Sequence, residues 1–115
     1  MDFKYETWGN TLLISETDKY KLKTFNIYPN SLIDLCSHNY ISKHLITLLG
    51  EAEIEINNNI HQLKTNCYIF IPNKTKYKIY NNTNNIIEIL VIDTGEYISD
   101  SDYIKYNKIN NDYFK

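Results

Sequence analysis

Short apolar runs alternate with polar turns along this chain, and no long segment carries the 3.6-residue period of an amphipathic helix. The clearest run is Tyr20-Lys21-Leu22-Lys23-Thr24-Phe25-Asn26-Ile27-Tyr28. Leu22 and Phe25 to Ile27 mark its apolar positions and the lysines its other face, which predicts a half-buried strand. Pro29-Asn30 ends it, with Asn30 able to take the positive φ that a glycine would otherwise supply. Thr11 to Ser15 reads as a strand before the turn Glu16-Thr17-Asp18-Lys19, and Ile41 to Leu49 is apolar and β-branched enough for a central strand. Glu51 to Ile56 alternates, Asn57-Asn58-Asn59 turns the chain, and Ile60 to Leu63 returns. Cys67 to Ile71 is a strand stopped by Pro72. Lys76 to Tyr80 alternates before the turn at Asn81 to Asn85, and Ile86 to Ile92 is apolar except for Glu88. Phe3 to Gly9 reads as a lead-in in which Trp8 anchors a core or a dimer contact. The tail from Asp93 is polar and tyrosine-rich, and Ser99 to Ile104 could cap one short helix. Strands at this spacing predict an all-β sandwich or barrel.

At 115 residues the chain is expected to form one domain, residues 1–115, that buries about two-thirds of its unfolded surface. No apolar run approaches the roughly 20 residues that span a bilayer, and the N-terminus lacks the form of an export signal, so a cytoplasmic protein is expected. Cys36 and Cys67 are then expected to be reduced. A net charge of -2, with all 12 basic residues lysines, excludes the arginine-rich surface typical of nucleic-acid binding. Neither a membrane nor a nucleic acid is expected as partner.

Asn30, Cys36, His38, Lys43 and Gly50 stand at the spacings of the first conserved motif of the cupins. In that motif the positions are Gly, His, His, Glu and Gly. Asn66, Pro72, Lys74, Tyr77 and Asn81 match the second motif, with Pro72 and Asn81 kept and the histidine replaced by Tyr77. The chain therefore resembles a cupin, which implies a double-stranded β-helix jelly roll with a short irregular or helical C-terminal tail. Trp8-Gly9, Leu35-x-x-His38, Lys43-His44-Leu45-Ile46, Gly50-x-Ala52, Ile71-Pro72-Asn73 and Gly95-Glu96-Tyr97-Ile98-x-Asp100-x-Asp102 follow in order. Together they resemble the type II mannose-6-phosphate isomerase domain, which is also the C-terminal part of bifunctional mannose-1-phosphate guanylyltransferases.

The resemblance implies a metal held by Gln, His, Glu and His, with protons moved between adjacent sugar carbons while the metal polarises the sugar oxygens. On this chain those positions are Cys36, His38, Lys43 and Tyr77, and a basic residue near the family's C-terminus falls on Lys105. Exchanging Glu for an inward, charged lysine turns attraction for a dication into repulsion, a swing on the order of ten kcal/mol. No metal is thus expected in the family position, with zinc or another divalent ion implied only where that site is retained. Three functions remain open. One is an isomerase-like cupin of sugar-phosphate or nucleotide-sugar metabolism. The second is a metal-free epimerase or ketoisomerase using His38 and Tyr77 as catalytic residues. The third is a non-catalytic sugar-binding or dimerising cupin. Cys36, Lys43 and Lys105 are candidate substrate-binding residues, while His44 and His61 read as surface or structural. The expected partners are a sugar phosphate or nucleotide sugar and a second copy of the chain, a homodimer joined by edge strands.

Overall fold

A computed structural model describes residues 2–106. The chain forms β1 (Asp2–Glu6), β2 (Gly9–Glu16), β3 (Tyr20–Ile27), β4 (Ser31–Ser37), β5 (Ser42–Leu49), β6 (Ala52–Ile56), β7 (Asn59–Leu63), β8 (Tyr68–Ile71), β9 (Tyr77–Asn81), β10 (Ile87–Thr94) and β11 (Ile104–Lys105). Six strands pair in the order β1-β2-β3-β10-β5-β8 and five in the order β11-β4-β9-β6-β7. Every ladder is antiparallel. The two sheets close on a shared core of Ile27, Leu45, Ile54, Ile79, Ile87, Ile89 and Val91, all without exposed surface. This is the jelly roll that the turn spacing and the motifs predicted.

Left-handed backbone occurs where the motifs place glycine: Asn30 has φ 54°, Asn66 has φ 71° and Lys74 has φ 65°. Asparagine tolerates that region because its side chain can bond locally; lysine has no such compensation. Asn57 and Asn58 both have positive φ between the paired Ile56 and Asn59, the two-residue hairpin that suits twisted strands. Asn81 is fully buried, and its amide nitrogen reaches the carbonyls of Ile27, Tyr28 and Asn85, tying the end of β9 to the end of β3.

Three sequence-based expectations need correction, and one strand, β4, was not read from the sequence. The lysines of β3 do not face away from its apolar residues. Lys21, Lys23, Phe25 and Ile27 share one parity, pairing in register with Asp93, Val91, Ile89 and Ile87, so the lysines point into the barrel mouth. The lead-in is partly strand β1, which pairs with β2 over five residues. The segment after Pro29 is strand β4. Ser99 to Ile104 forms no helix: a turn closes with the Asp102 amide donating to the Ser99 carbonyl at 3.0 Å, and β11 then pairs with β4. Trp8 is half-buried and packs against the core, edge-on to Phe25 with ring centroids 5.4 Å apart.

Candidate functional site

β4 opens the site. Ile33 faces the core, and regular alternation would next bring Leu35 inward. A register shift between Ile33 and Cys36 instead turns Cys36, and two residues on His38, toward the barrel axis. Tyr77 stands opposite Cys36 on β9. On the other sheet, Lys43 of β5 pairs in register with Asp93 of β10, which pairs on its far side with Lys21 of β3. His38, Tyr77, Lys43 and Asp93 meet at the floor of a cavity of about 450 Å³ that opens between β1, β2, β3, β4 and the C-terminal segment, whereas Cys36, read from sequence as a substrate-binding residue, is fully buried and does not line it. That volume lies within the range of small-molecule sites.

His38 is held at both ring nitrogens. Nδ1 lies 2.6 Å from the Asp102 backbone carbonyl, which can only accept, so Nδ1 carries the proton. Nε2, 2.8 Å from the Tyr77 hydroxyl, is then the acceptor of the neutral ring, and Tyr77 donates to it. Burial and then the Lys43 ammonium push the His38 pKa down, which keeps the ring neutral. Burial pushes the Tyr77 phenol well above its usual range, so it stays a donor. The Cys36 thiol, also raised by burial, lies against the hydroxyls of Tyr77 and Tyr103. Tyr103 flanks the imidazole with centroids 5.6 Å apart, and burial lifts its hydroxyl to about 12.

The Asp102 carboxylate fixes the loop that carries the histidine. It accepts from the amides of Asn39 at 2.7 Å, Tyr40 at 2.8 Å and Ile41 at 3.0 Å. Burial works against that charge, but the three amides outweigh it and hold the carboxyl below its usual range. The Lys74 amide adds a bond to the His38 carbonyl, which joins the second motif's turn to the first motif's histidine.

Lys43 does not reach solvent. Its ammonium lies 2.6 Å from Asp93 Oδ1, with 4% of the side chain exposed, while Lys23 takes Asp93 Oδ2 at 2.8 Å. Burial would raise the Asp93 carboxyl, but Lys43 and then Lys23 hold it down. One carboxylate thus serves two ammoniums, leaving a surplus positive charge in a dry place. Burial, then Lys23, lowers the Lys43 pKa to about 8. Nearer the rim the charges are matched: Lys21 binds Asp100 at 3.0 Å and Glu16 at 3.6 Å.

Four of the residues singled out from sequence, Cys36, His38, Lys43 and Tyr77, are therefore gathered in one place, and Lys105 stands exposed at the cavity mouth in register with Cys36. His44 bonds Tyr68 on the outer face, and His61 is exposed. Cys36 and Cys67 are both free, one buried and one exposed. Asp93, Asp102, Lys23 and Tyr103 were missed. Asp93 continues the inward parity of Ile87, Ile89 and Val91, a signal the sequence carried. The donor set does not fit a divalent metal. Both histidine nitrogens are engaged, a lysine occupies the carboxylate position, and among the described residues no three His, Cys, Asp or Glu side chains converge as ligands.

Two closed sheets around a ligand-sized cavity, with the motif residues His38, Lys43 and Tyr77 on its floor, define a cupin. The chain belongs to the mannose-6-phosphate isomerase C-terminal family, which it matches over residues 2–108. It is 26% identical over 98 residues to a mannose-1-phosphate guanylyltransferase of Sinorhizobium fredii, a match covering 85% of this chain and 19% of that protein. It is 23% identical over 105 residues to the alginate biosynthesis protein AlgA of Pseudomonas fluorescens, covering 91% of this chain and 22% of that one. The chain thus spans about a fifth of the length of these curated relatives. The cupin domain of Schizosaccharomyces pombe Cnp3 superposes with a TM-score of 0.75 at 9% identity, over 83% of this chain and 69% of that one, a likeness of fold.

Proposed function

We propose that this cupin takes a sugar phosphate or nucleotide sugar into its cavity and moves a sugar proton through the His38–Tyr77 pair without a metal, as an epimerase or ketoisomerase. The observation that carries this reading is the bond from the Tyr77 hydroxyl to a neutral His38 Nε2, at the floor of a cavity that also holds the surplus ammonium of the Lys43–Asp93–Lys23 cluster. A proton leaving the substrate goes to the Tyr77 oxygen as the Tyr77 proton passes to Nε2; the Nδ1–H bond to Asp102 holds the imidazolium, and return to a neighbouring carbon reverses both transfers. The anionic end of the ligand faces Lys105 at the mouth. The family match and the likeness to mannose-1-phosphate guanylyltransferases support the substrate class.

The test is calorimetric titration of mannose 6-phosphate and GDP-mannose, followed by turnover assays in the presence of a chelator. Binding and chelator-insensitive turnover are expected. Tyr77→Phe should lower kcat by about 10² or more with binding kept. Because His38 is needed neutral and its pKa is lowered, the part of the pH profile that belongs to His38 should fall off only below 6.5. Binding with no turnover would leave a sugar-binding domain, and no binding would remove the reading. A homodimer belongs to the same proposal. Tyr68 and Phe70 on edge strand β8 and Leu48 beside them on β5 are exposed on one outer face with no charge among them, a surface that a second copy covers. Sedimentation velocity that finds only monomer would remove it.

A further inference from the structure

We propose that Lys43 is a nucleophile: its Nζ condenses with the open-chain carbonyl of a sugar or sugar phosphate in the cavity to form a protonated imine. The inference rests on reading the cavity as the sugar site, and it names the electrophilic device that a metal-free proton transfer beside a carbonyl requires. In the bond balance, Nζ adds to the carbonyl carbon and the carbonyl oxygen leaves as water. The proton that Lys43 gives up before attack and one more that Nζ loses after it both end on that oxygen, so a carbonyl and an ammonium become an iminium and one water. The iminium then draws electrons from the adjacent C–H bond, whose proton the Tyr77–His38 pair is placed to receive.

Three features of the geometry support this. Amine nucleophiles are activated by desolvation or by a second cation, and Lys43 has both: its side chain is 4% exposed, and Lys23 shares its carboxylate. Of the two lysines on Asp93, Lys43 is the more enclosed, 4% exposed against 14% for Lys23, while the Phe25 ring lies 5.7 Å from the Nζ of Lys43 and 5.8 Å from that of Lys23. Lys43, His38 and Tyr77 also line one cavity. The titratable groups about it are Asp93 on β10, Lys23 on β3 with Lys21 beyond Asp93, Cys36 and His38 on and beside β4, and Tyr77 on β9. Asp93 favours the ammonium, while burial and Lys23 oppose it. With its pKa lowered to about 8, Lys43 offers more free amine near neutral pH than an ordinary lysine does.

The experiment treats the full chain with glyceraldehyde 3-phosphate and cyanoborohydride, which fixes an imine as a secondary amine, and locates the adduct by peptide mass spectrometry. The expected result is one dominant adduct on Lys43, formed at a rate that rises with pH through a midpoint near 8. Lys43→Arg, which keeps a cation on Asp93, should abolish it, and Lys23→Met should move the midpoint up toward the ordinary lysine value. Should the variants not fold, trace acetic anhydride competition across pH ranks Lys43 against the exposed lysines in the unaltered chain. Adducts confined to exposed lysines, or a Lys43 that titrates like them, would overturn the proposal. Sugar-phosphate affinity with no Lys43 adduct discards the imine and keeps the proposed function. A Lys43 adduct in a chain without that affinity keeps the imine and discards the function.

Discussion

Lys43 shares a single buried carboxylate with Lys23, and the cost of that arrangement is readable as pH dependence. Its folded pKa is lowered to about 8 from the usual 10.5, so between those values the unfolded chain binds a proton that the folded chain does not. Stability must then rise with pH across that window. Urea unfolding of the unaltered chain and of Lys43→Met, compared from pH 7 to 10.5, should show the unaltered chain gaining on the variant by at most about 3 kcal/mol. Cys36 acts in the opposite direction. Its raised pKa means that stability is lost as pH climbs past the unfolded thiol's value, but it is present in both proteins and largely cancels. A constant gap between the two would mean that Lys43 titrates as a surface lysine does. Cys36, His38, Lys43 and Tyr77 were legible from spacing alone, because motif spacing survives when the side chains change. Asp93 was not, since the apolar run Ile86 to Ile92 drew attention to itself and its acidic successor read as the start of a tail.

At the scale of elements, what hid from the sequence was parity. A strand that runs from a core into a polar cavity keeps one face inward while changing from apolar to charged, and β3 does so from Ile27 and Phe25 to Lys23 and Lys21. Reading lysine as outward is right at a sheet surface and wrong at a barrel mouth. β4 hid for a second reason: its register shift breaks the period-two pattern by which strands are recognised. The C-terminal segment looked like a helix start because Ser and Asp cap helices, yet Asp102 caps a loop. Its carboxylate satisfies three amides of another segment, and its carbonyl fixes the His38 tautomer. Asp102→Ala should therefore cost about 3 kcal/mol in chemical denaturation, whereas Asp102→Asn, which keeps one acceptor oxygen, should cost less than half of that. Equal losses would show that the carboxylate is not what holds the loop. Lys74 gives a prediction of opposite sign. Its φ of 65° disfavours a lysine, so Lys74→Gly should be neutral or stabilising by at most about 1 kcal/mol, where the same exchange inside a strand would destabilise.

Across the whole molecule, scaffold and chemistry have separated. The two sheets, the motif turns and the cavity are those of a cupin, and positions 36, 38, 43 and 77 still converge on one point, but the side chains at 43 and 77 suit a proton network better than a metal. That separation can be tested in both directions by thermal unfolding with zinc. A site with a Kd of about 1 μM, at 1 mM zinc, would add about 4 kcal/mol of stability, which for a chain of this size raises Tm by roughly 15 °C. The unaltered chain should show a shift under about 2 °C, and none on adding a chelator. The double variant Lys43→Glu with Tyr77→His places a carboxylate and a second histidine beside Cys36 and His38, giving four potential ligands around a cavity that Asp93 makes still more favourable for a cation. It should acquire zinc-dependent stabilisation reversed by chelator. A large shift in the unaltered chain would return the metal to the mechanism. No shift in either protein would mean that the four positions, though close together, no longer hold the geometry that a tetrahedral ion needs.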